Sequence, residues 1–232
     1  MKNNKIIGII GGIGPQATQL IYERIIYYAQ NKYGAKNNDD FPHLMIESIP
    51  IPDFISDKKK INVAEKMLIK STERFTNAGV SYIAIASNTV HILLTTLQYI
   101  TSIPFISIID LVAKQCHKLK YKKVGLLGSP MLIGSGLYTK ELRKYGITLE
   151  LPTSDEIRIS EKIIRHVLAG TTNELDKIQY INMFSDFYSR GCETIILGCT
   201  ELPLAINYEA LGNKTINSDD TLAETITDYY YC

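Results

Sequence analysis

The sequence predicts an α/β protein with parallel sheets and two similar halves, on the strength of three observations. Short apolar runs alternate with longer helical patterns, which is typical of β-α-β units. Most of these runs lack a polar–apolar alternation, as expected of strands that helices cover on both faces. Finally, two pairs of motifs recur at nearly the same separation, which indicates that the second half repeats the first.

The apolar runs and the residues that start and end helices fix the predicted elements. Strands are predicted at residues 5–10, 43–49, 81–86, 104–108, 122–128 and 194–198. Pro15 suits the first turn of a helix, and Gly34 and Gly170 suit positions just after helix ends. Helices are therefore expected at about 15–33, 154–170, 173–190 and 219–230.

The repeat rests on two motif pairs. IIGIIGGIGP resembles KVGLLGSP when Gly8 is laid on Gly125, an offset of 125 − 8 = 117. IAIASNTVH resembles TIILGCTELP when Ser87 is laid on Cys199, an offset of 199 − 87 = 112. Chance similarity of apolar strands is the alternative, but two unrelated pairs with nearly one offset favour duplication. The predicted domains are residues 1–100 with 211–232, and residues 101–210.

Composition excludes several classes of partner. The chain has 232 residues with 25 basic and 24 acidic side chains, so it offers no electrostatic footprint for nucleic acid or an anionic membrane. Its four cysteines show no metal-ligand spacing, and the apolar stretch near the start is too short for a signal peptide or a membrane span. We expect free thiols, no metal site and a cytoplasmic setting.

Four predicted strands end in small or polar residues, and ligands of open α/β sheets bind beyond the carboxyl ends of strands. These ends are residues 11–14, 87–89, 128–129 and 198–201. Backbone N–H groups and hydroxyls at helix starts there would hold a carboxylate or a phosphate. For Asn88 and Thr89, simple helix capping is the alternative.

Cys199 is either inert filler between a strand and a turn or a reactive thiol. A helix start would lower a thiol pKa from its reference value of about 8.5, whereas the neighbouring Glu201 would oppose this. If a pseudo-twofold axis relates the halves, Ser87 and Cys199 face each other across a cleft. Two proton-carrying groups on opposite sides of one carbon suit racemisation without a cofactor.

The motifs GGIGPQAT, ASNTVH and LGCTELP, in this order, resemble the aspartate/glutamate racemase family, specifically its aspartate racemase branch. The resemblance covers nearly the whole chain. It implies two Rossmann-like domains with the active site between them, and a homodimer. It also implies a racemase of a small acidic amino acid that needs neither pyridoxal phosphate nor another cofactor.

The resemblance also assigns roles to residues. The second catalytic cysteine of the family corresponds to Cys199, and Ser87 stands at the position of the first. The implied substrate-binding residues are Ile13, Asp53, Asn88, Thr89, Ser129, Arg158, Thr200 and Glu201.

Three positions depart from the family pattern. Ser87 replaces a cysteine, and a hydroxyl cannot store a proton-accepting anion at neutral pH, although it can donate or relay a proton. The chain is then a natural variant with one-sided or slow activity, or a replacement engineered to trap substrate. Ile13 replaces a methionine, and Phe54 stands where some aspartate racemases carry an arginine, which leaves aspartate specificity open.

Other interpretations remain at this point. His91 either assists a proton relay or is a structural histidine bonded to the backbone. Residues 12–17 fit the G-x-G-x-x-A pattern of a dinucleotide-binding protein, although the next predicted strand ends farther on than that motif expects. A non-catalytic amino-acid-binding protein and a cysteine-dependent isomerase of a small diacid such as maleate are further alternatives.

Overall fold

A computed structural model describes residues 5–52, 58–205 and 214–232 of the chain. These residues form two compact units, which comprise Met1–Ile108 with Asp219–Cys232, and Ile109–Ser218. Each unit holds one four-stranded parallel sheet with helices, so the predicted α/β class is confirmed. Within the described part of the chain, no helix is both long and apolar enough to cross a membrane.

The first unit has the strand order β2-β1-β3-β4. Its strands are β1 (Ile7–Gly11), β2 (Leu44–Ser48), β3 (Tyr82–Ile85) and β4 (Phe105–Ile106). Its helices include α1 (Pro15–Tyr33), α2 (Ile61–Ala78) and α3 (Leu94–Tyr99), and α4 (Ile108–Lys118) begins at its last residue before the chain enters the second unit. The central strand β1 is buried throughout, whereas the edge strand β2 is partly exposed. This difference in burial explains why β2 mixes polar and apolar residues and β1 does not.

The second unit repeats this order as β6-β5-β7-β8. Its strands are β5 (Lys123–Leu127), β6 (Thr148–Glu150), β7 (Thr194–Leu197) and β8 (Thr215–Asn217). Its helices include α5 (Pro130–Ser135), α6 (Leu137–Arg143), α7 (Ser154–Ala169), α8 (Glu174–Ser189) and α9 (Leu202–Ala205). The last helix, α10 (Ser218–Tyr231), returns the chain to the first unit.

The residues at the helix ends account for the lengths of the long helices. Pro15 occupies the first turn of α1, and Gly34 ends it in the left-handed conformation with φ 71°. Thr153 and Glu156 form a capping box at the start of α7, one residue before the cap expected from the sequence. The predicted helices at 15–33, 154–170, 173–190 and 219–230 are all confirmed, with ends that move by a residue or two.

All six predicted strands are present, but β6 and β8 were not predicted. The pairing of β4 and β8 shows where the chain passes from one unit to the other. Strand β4 pairs with β3, and β8 pairs with β7, so each closes the sheet of the unit that precedes it. The compact units consequently change after Ile108 and Ser218, rather than after residues 100 and 210.

The two units share more than strand order. The buried residues of α8 each lie 112 positions after those of α2, as for Phe75 and Phe187, where 187 − 75 = 112. The matching sets are Ala64, Leu68, Ser71, Thr72 and Phe75 in α2, and Asp176, Tyr180, Met183, Phe184 and Phe187 in α8. This agreement supports duplication over chance similarity of the strands.

The glycines in the middle of β1 and β5 have the same structural cause. A Cβ atom added at Gly8 would lie 3.0 Å from the ring of Phe75, and one at Gly125 would lie 2.6 Å from the ring of Phe187. In each unit, an aromatic ring of the covering helix therefore rests directly on the backbone of the central strand. This fit fixes how far α2 and α8 sit along their strands.

Candidate active site

The first strand end is a tight turn after β1. Gly12 has φ 84°, and a Cβ atom there would lie 2.6 Å from the backbone nitrogen of Ile49, so only glycine fits. Its N–H donates a hydrogen bond to Thr18 Oγ1 at 2.9 Å, which ties the turn to the first turns of α1. Ile13 follows this turn and is half-buried.

The second strand end carries the ASNTVH motif. Ser87 lies two residues after β3 and is buried, as is Asn88 beside it. Thr89 begins a short 3-10 helix, Thr89–Leu93, to which the Asn88 side chain makes no capping hydrogen bond. The capping interpretation is therefore wrong for Asn88.

His91 holds this loop in place. Its ring is buried, its Nε2 accepts a hydrogen bond from the N–H of Ile108 at 3.1 Å, and its Nδ1 lies 2.8 Å from the carbonyl oxygen of Ser87. Because Nε2 is an acceptor, the ring proton belongs on Nδ1, where it is donated to Ser87. Both nitrogens are thus occupied by the backbone, and the interpretation as a structural histidine is confirmed over the proton relay.

Burial also fixes the charge of this ring. Loss of water lowers the pKa of His91 from 6.5 to about 4, although the backbone groups of Ser87 and Ile106 act in the opposite direction. The imidazole is therefore neutral near pH 7.

In the second unit, the corresponding strand end holds a thiol next to a carboxylate. Cys199 lies two residues after β7 and is 7% exposed, while Thr200 and Glu201 are 3% and 4% exposed. The thiol of Cys199 donates to Glu201 Oε2 at 3.0 Å, and the hydroxyl of Thr200 donates to the same oxygen at 3.0 Å. A single carboxylate oxygen therefore receives two buried protic groups.

This contact gives Glu201 a different role from the one that the sequence suggests. A charge on Glu201 opposes ionisation of the thiol unless the side chain points elsewhere, and the structure places this carboxylate within hydrogen-bond distance of the sulfur. A carboxylate in this position is also a hydrogen-bond acceptor for the thiol. Both roles require only that the residues lie two apart in a turn, so they cannot be distinguished from the sequence alone.

Two other predicted site residues, Ser129 and Arg158, have different surroundings. Ser129 is fully buried and caps α5, since its Oγ accepts a hydrogen bond from the N–H of Leu132 at 3.1 Å. Arg158 lies on α7 with a side chain that is 77% exposed and forms an ion pair with Asp155 on the same helix. Asp53 lies outside the described residues, as does Phe54.

The family of the chain follows from comparison with known proteins. The model of the Asp/Glu/hydantoin racemase family matches residues 10–224. The chain belongs to this family, which confirms the resemblance found in the motifs and supports an amino-acid racemase activity.

Individual relatives agree with this assignment. A broad specificity amino-acid racemase from Bacillus subtilis, RacX, is 27% identical over 228 residues, which cover 97% of this chain and 98% of that protein. An aspartate racemase homologue from Pyrococcus horikoshii OT3 is 30% identical, with a TM-score of 0.80 and 100% of both chains covered. The aspartate racemase of Picrophilus torridus is 26% identical, with a TM-score of 0.81 and 98% and 95% of the two chains covered.

Proposed function

We propose that the chain racemises an acidic amino acid, aspartate or glutamate, at Cα and without a cofactor. In this proposal Cys199 is the thiol acid/base, and Ser87 acts at the position of the opposing cysteine. The observation that carries it is the contact between the buried Cys199 thiol and Glu201, 3.0 Å apart. This contact gives the sulfur a neighbour that can take its proton.

The reaction starts with proton transfer within this pair. The S–H bond of Cys199 breaks as an O–H bond forms on Glu201, and the resulting thiolate removes the Cα proton of the bound substrate. The negative charge then develops on the substrate carboxylate, which must be held by hydrogen-bond donors. We assign the strand-end loop with Asn88 and Thr89, and the loop with Thr200, to the binding of the α-amino and α-carboxylate groups.

The proton returned to the opposite face comes from the hydroxyl of Ser87, which solvent then reprotonates, while Glu201 releases to solvent the proton that it took from Cys199. Because a serine hydroxyl does not hold an anion at neutral pH, it donates a proton far more readily than it removes one. We therefore expect one-sided exchange, in which the enantiomer whose Cα–H faces Cys199 exchanges that hydrogen with solvent faster than its mirror image, while conversion is slow and has the same kcat/KM in both directions.

Deuterium exchange tests the proposal. Each enantiomer of aspartate and glutamate is incubated with the protein in D2O, and loss of the Cα–H signal is followed by NMR. Cys199→Ala should abolish exchange with little change in melting temperature, since it removes one small side chain at the end of a strand. Cys192→Ala is the matched control, because Cys192 is also a buried thiol but precedes β7 instead of following it.

A second substitution tests the role of Ser87. Ser87→Cys restores a thiol at this position and should raise racemisation turnover, together with exchange of the Cα–H of the enantiomer that exchanges slowly in the natural chain. A turnover that stays the same or falls would show that Ser87 does not stand in for a thiol.

The same assay separates the alternatives left by the sequence. An amino-acid-binding protein would leave the Cα proton untouched, and an isomerase of small diacids would act on substrates that lack the amino group. The homodimer, the cytoplasmic setting and the substrate contacts of Ile13, Asp53, Ser129 and Arg158 stay predictions.

A further inference from the structure

Tyr180 carries a buried hydroxyl that satisfies no hydrogen bond within the described residues. The side chain is 0% exposed, and its oxygen has no hydrogen-bond partner there. Its ring packs edge to face on Phe184, with centroids 5.0 Å apart. A buried hydroxyl without a partner costs about 1–3 kcal/mol, so phenylalanine would be the more stable residue if packing were the only requirement.

The helix places this hydroxyl at the level of the strand end that carries Cys199. Phe187 of α8 rests on Gly125, which pairs with Ile195 of β7. Tyr180 lies two turns earlier in α8, about 10 Å along the helix axis. Because α8 leads directly into β7 and runs back along it, this shift points toward Gly198, which is about 10 Å beyond Ile195 along the strand.

Electrostatics agree with this placement. Burial raises the pKa of Tyr180 well above its ordinary value, and the neighbouring Cys199 raises it further. The Tyr180 hydroxyl therefore keeps its proton at neutral pH.

The internal repeat provides a comparison within the same chain. The position equivalent to Tyr180 in the first unit is 180 − 112 = 68, which is Leu68, and it is also fully buried. The position equivalent to Cys199 is 199 − 112 = 87, which is Ser87. The half that ends its strand with a thiol thus carries a tyrosine beneath it, whereas the half with a hydroxyl carries a leucine.

We propose that Tyr180 is a positioning residue for Cys199, whose sulfur receives a hydrogen bond from the tyrosine hydroxyl once the thiol proton has moved to Glu201. In this step the S–H bond breaks and an O–H bond forms on Glu201, while Tyr180 keeps its own proton. The hydrogen bond stabilises the thiolate that the racemisation requires. The inference rests on the proposed function for the role of Cys199, but it concerns the ionisation of the thiol and can be measured without substrate.

The test is the pH titration of the Cys199 thiolate by its absorbance near 240 nm. The signal of Cys199 is the difference between each protein and the same protein with Cys199→Ala, which cancels the other thiols and the tyrosines. With Tyr180→Phe, the midpoint should rise by about one pH unit, since a charge-assisted hydrogen bond to the sulfur is lost. The melting temperature should stay equal or rise, because an unpartnered buried hydroxyl is removed.

Two further variants complete the design. Tyr180→Leu introduces the residue that the first unit carries and should raise the midpoint in the same way. Tyr138→Phe is the matched control, because Tyr138 is a buried tyrosine of the same unit on a different helix, and it should leave the midpoint unchanged.

The outcomes separate this inference from the proposed function. An unchanged midpoint in both Tyr180 variants, or no thiolate signal from Cys199 in any background, would overturn the role of Tyr180. A raised midpoint in a protein that exchanges no Cα proton would support that role and refute the racemase proposal. Exchange by the natural chain together with an unchanged midpoint would refute only the role of Tyr180.

Discussion

At the scale of single residues, His91 and Glu201 show how burial assigns roles to groups that the sequence leaves ambiguous. The ring of His91 bridges the carbonyl of Ser87 and the N–H of Ile108, so it connects the strand-end loop to the start of α4. Glu201 accepts hydrogen bonds from the thiol of Cys199 and from the hydroxyl of Thr200. His91 thus holds the loop that carries Ser87, and Glu201 holds the turn that carries Cys199.

The lowered pKa of His91 predicts a pH dependence of stability. Between about pH 6.5 and pH 4 the unfolded chain binds a proton at this residue and the folded chain does not, so stability falls as the pH falls through this window. A difference of this size corresponds to about 3 kcal/mol. Urea unfolding at several pH values measures the loss.

His91→Gln should flatten this part of the stability profile, while it also weakens the fold at neutral pH by removing the two backbone contacts. His43→Gln is the control, since His43 is exposed. A His91→Gln protein with the same slope as the natural chain would contradict the assignment of the slope to His91.

Replacement of the Glu201 carboxylate tests the proposed proton transfer from Cys199. Glu201→Gln keeps the size of the side chain but removes its ability to take the thiol proton, so exchange of the Cα proton should fall by about 10²–10⁴-fold. The fall should appear mainly in kcat, because the loops assigned to substrate binding stay in place. An effect confined to KM would instead identify Glu201 as a substrate contact.

At the scale of elements, the fit between helix and central strand governs the stability of each sheet. A Cβ atom at Gly125 would approach the Phe187 ring to 2.6 Å, closer than the 3.0 Å between Gly8 and Phe75. Gly125→Ala should therefore destabilise the protein by about 1–3 kcal/mol, and Gly8→Ala by less. Denaturant unfolding of the two variants gives the comparison.

Relief of the same overlap provides the check on this prediction. Phe187→Leu costs stability by itself, but in the presence of Gly125→Ala it should recover part of the loss, because the smaller side chain makes room for the new methyl group. Strictly additive effects of the two substitutions would show that the overlap is not the cause.

The elements also show which parts of the fold the sequence can predict. Buried strands such as β1 and β7 appear as continuous apolar runs, and proline and glycine punctuate the long helices, so these elements follow from the sequence. The edge strand β6 is only three residues long and partly exposed, so it shows no apolar run. Strand β8 is equally short, and it is defined by its pairing with β7, which is distant in sequence.

At the scale of the whole molecule, the chain closes its first unit with its last helix. Ile226 of α10 is fully buried, and Asp220 binds Arg24 and Tyr28 of α1 at 2.5 and 3.0 Å. Ile226→Ala should cost about 2–5 kcal/mol. Hydrogen exchange read by mass spectrometry should show protection lost in β1 to β4 before it is lost in β5 to β8.

Tyr99 supplies the control for this prediction, since it is 92% exposed and Tyr99→Ala should leave exchange unchanged. If Ile226→Ala removed protection equally from all eight strands, the two units would unfold as one cooperative block.

Only part of the candidate site can be predicted from the sequence, because the roles of several residues depend on how the whole chain folds around them. The motifs and the repeat identify Ser87 and Cys199, because each follows a buried strand at an equivalent position. A hydroxyl such as that of Ser129 looks the same in sequence whether it caps a helix or binds a ligand, and the exposure of Arg158 depends on which face of α7 packs. Tyr180 becomes visible only when the repeat is extended back from Cys199 into the preceding helix.

The matched buried faces of α2 and α8 suggest how such a protein changes over evolutionary time. In a chain that arises by duplication, one copy can accumulate substitutions while the other keeps the original chemistry. Equivalent positions that carry similar buried residues in both halves are those that the shared fold requires. Positions that differ are those at which one half could change independently of the other.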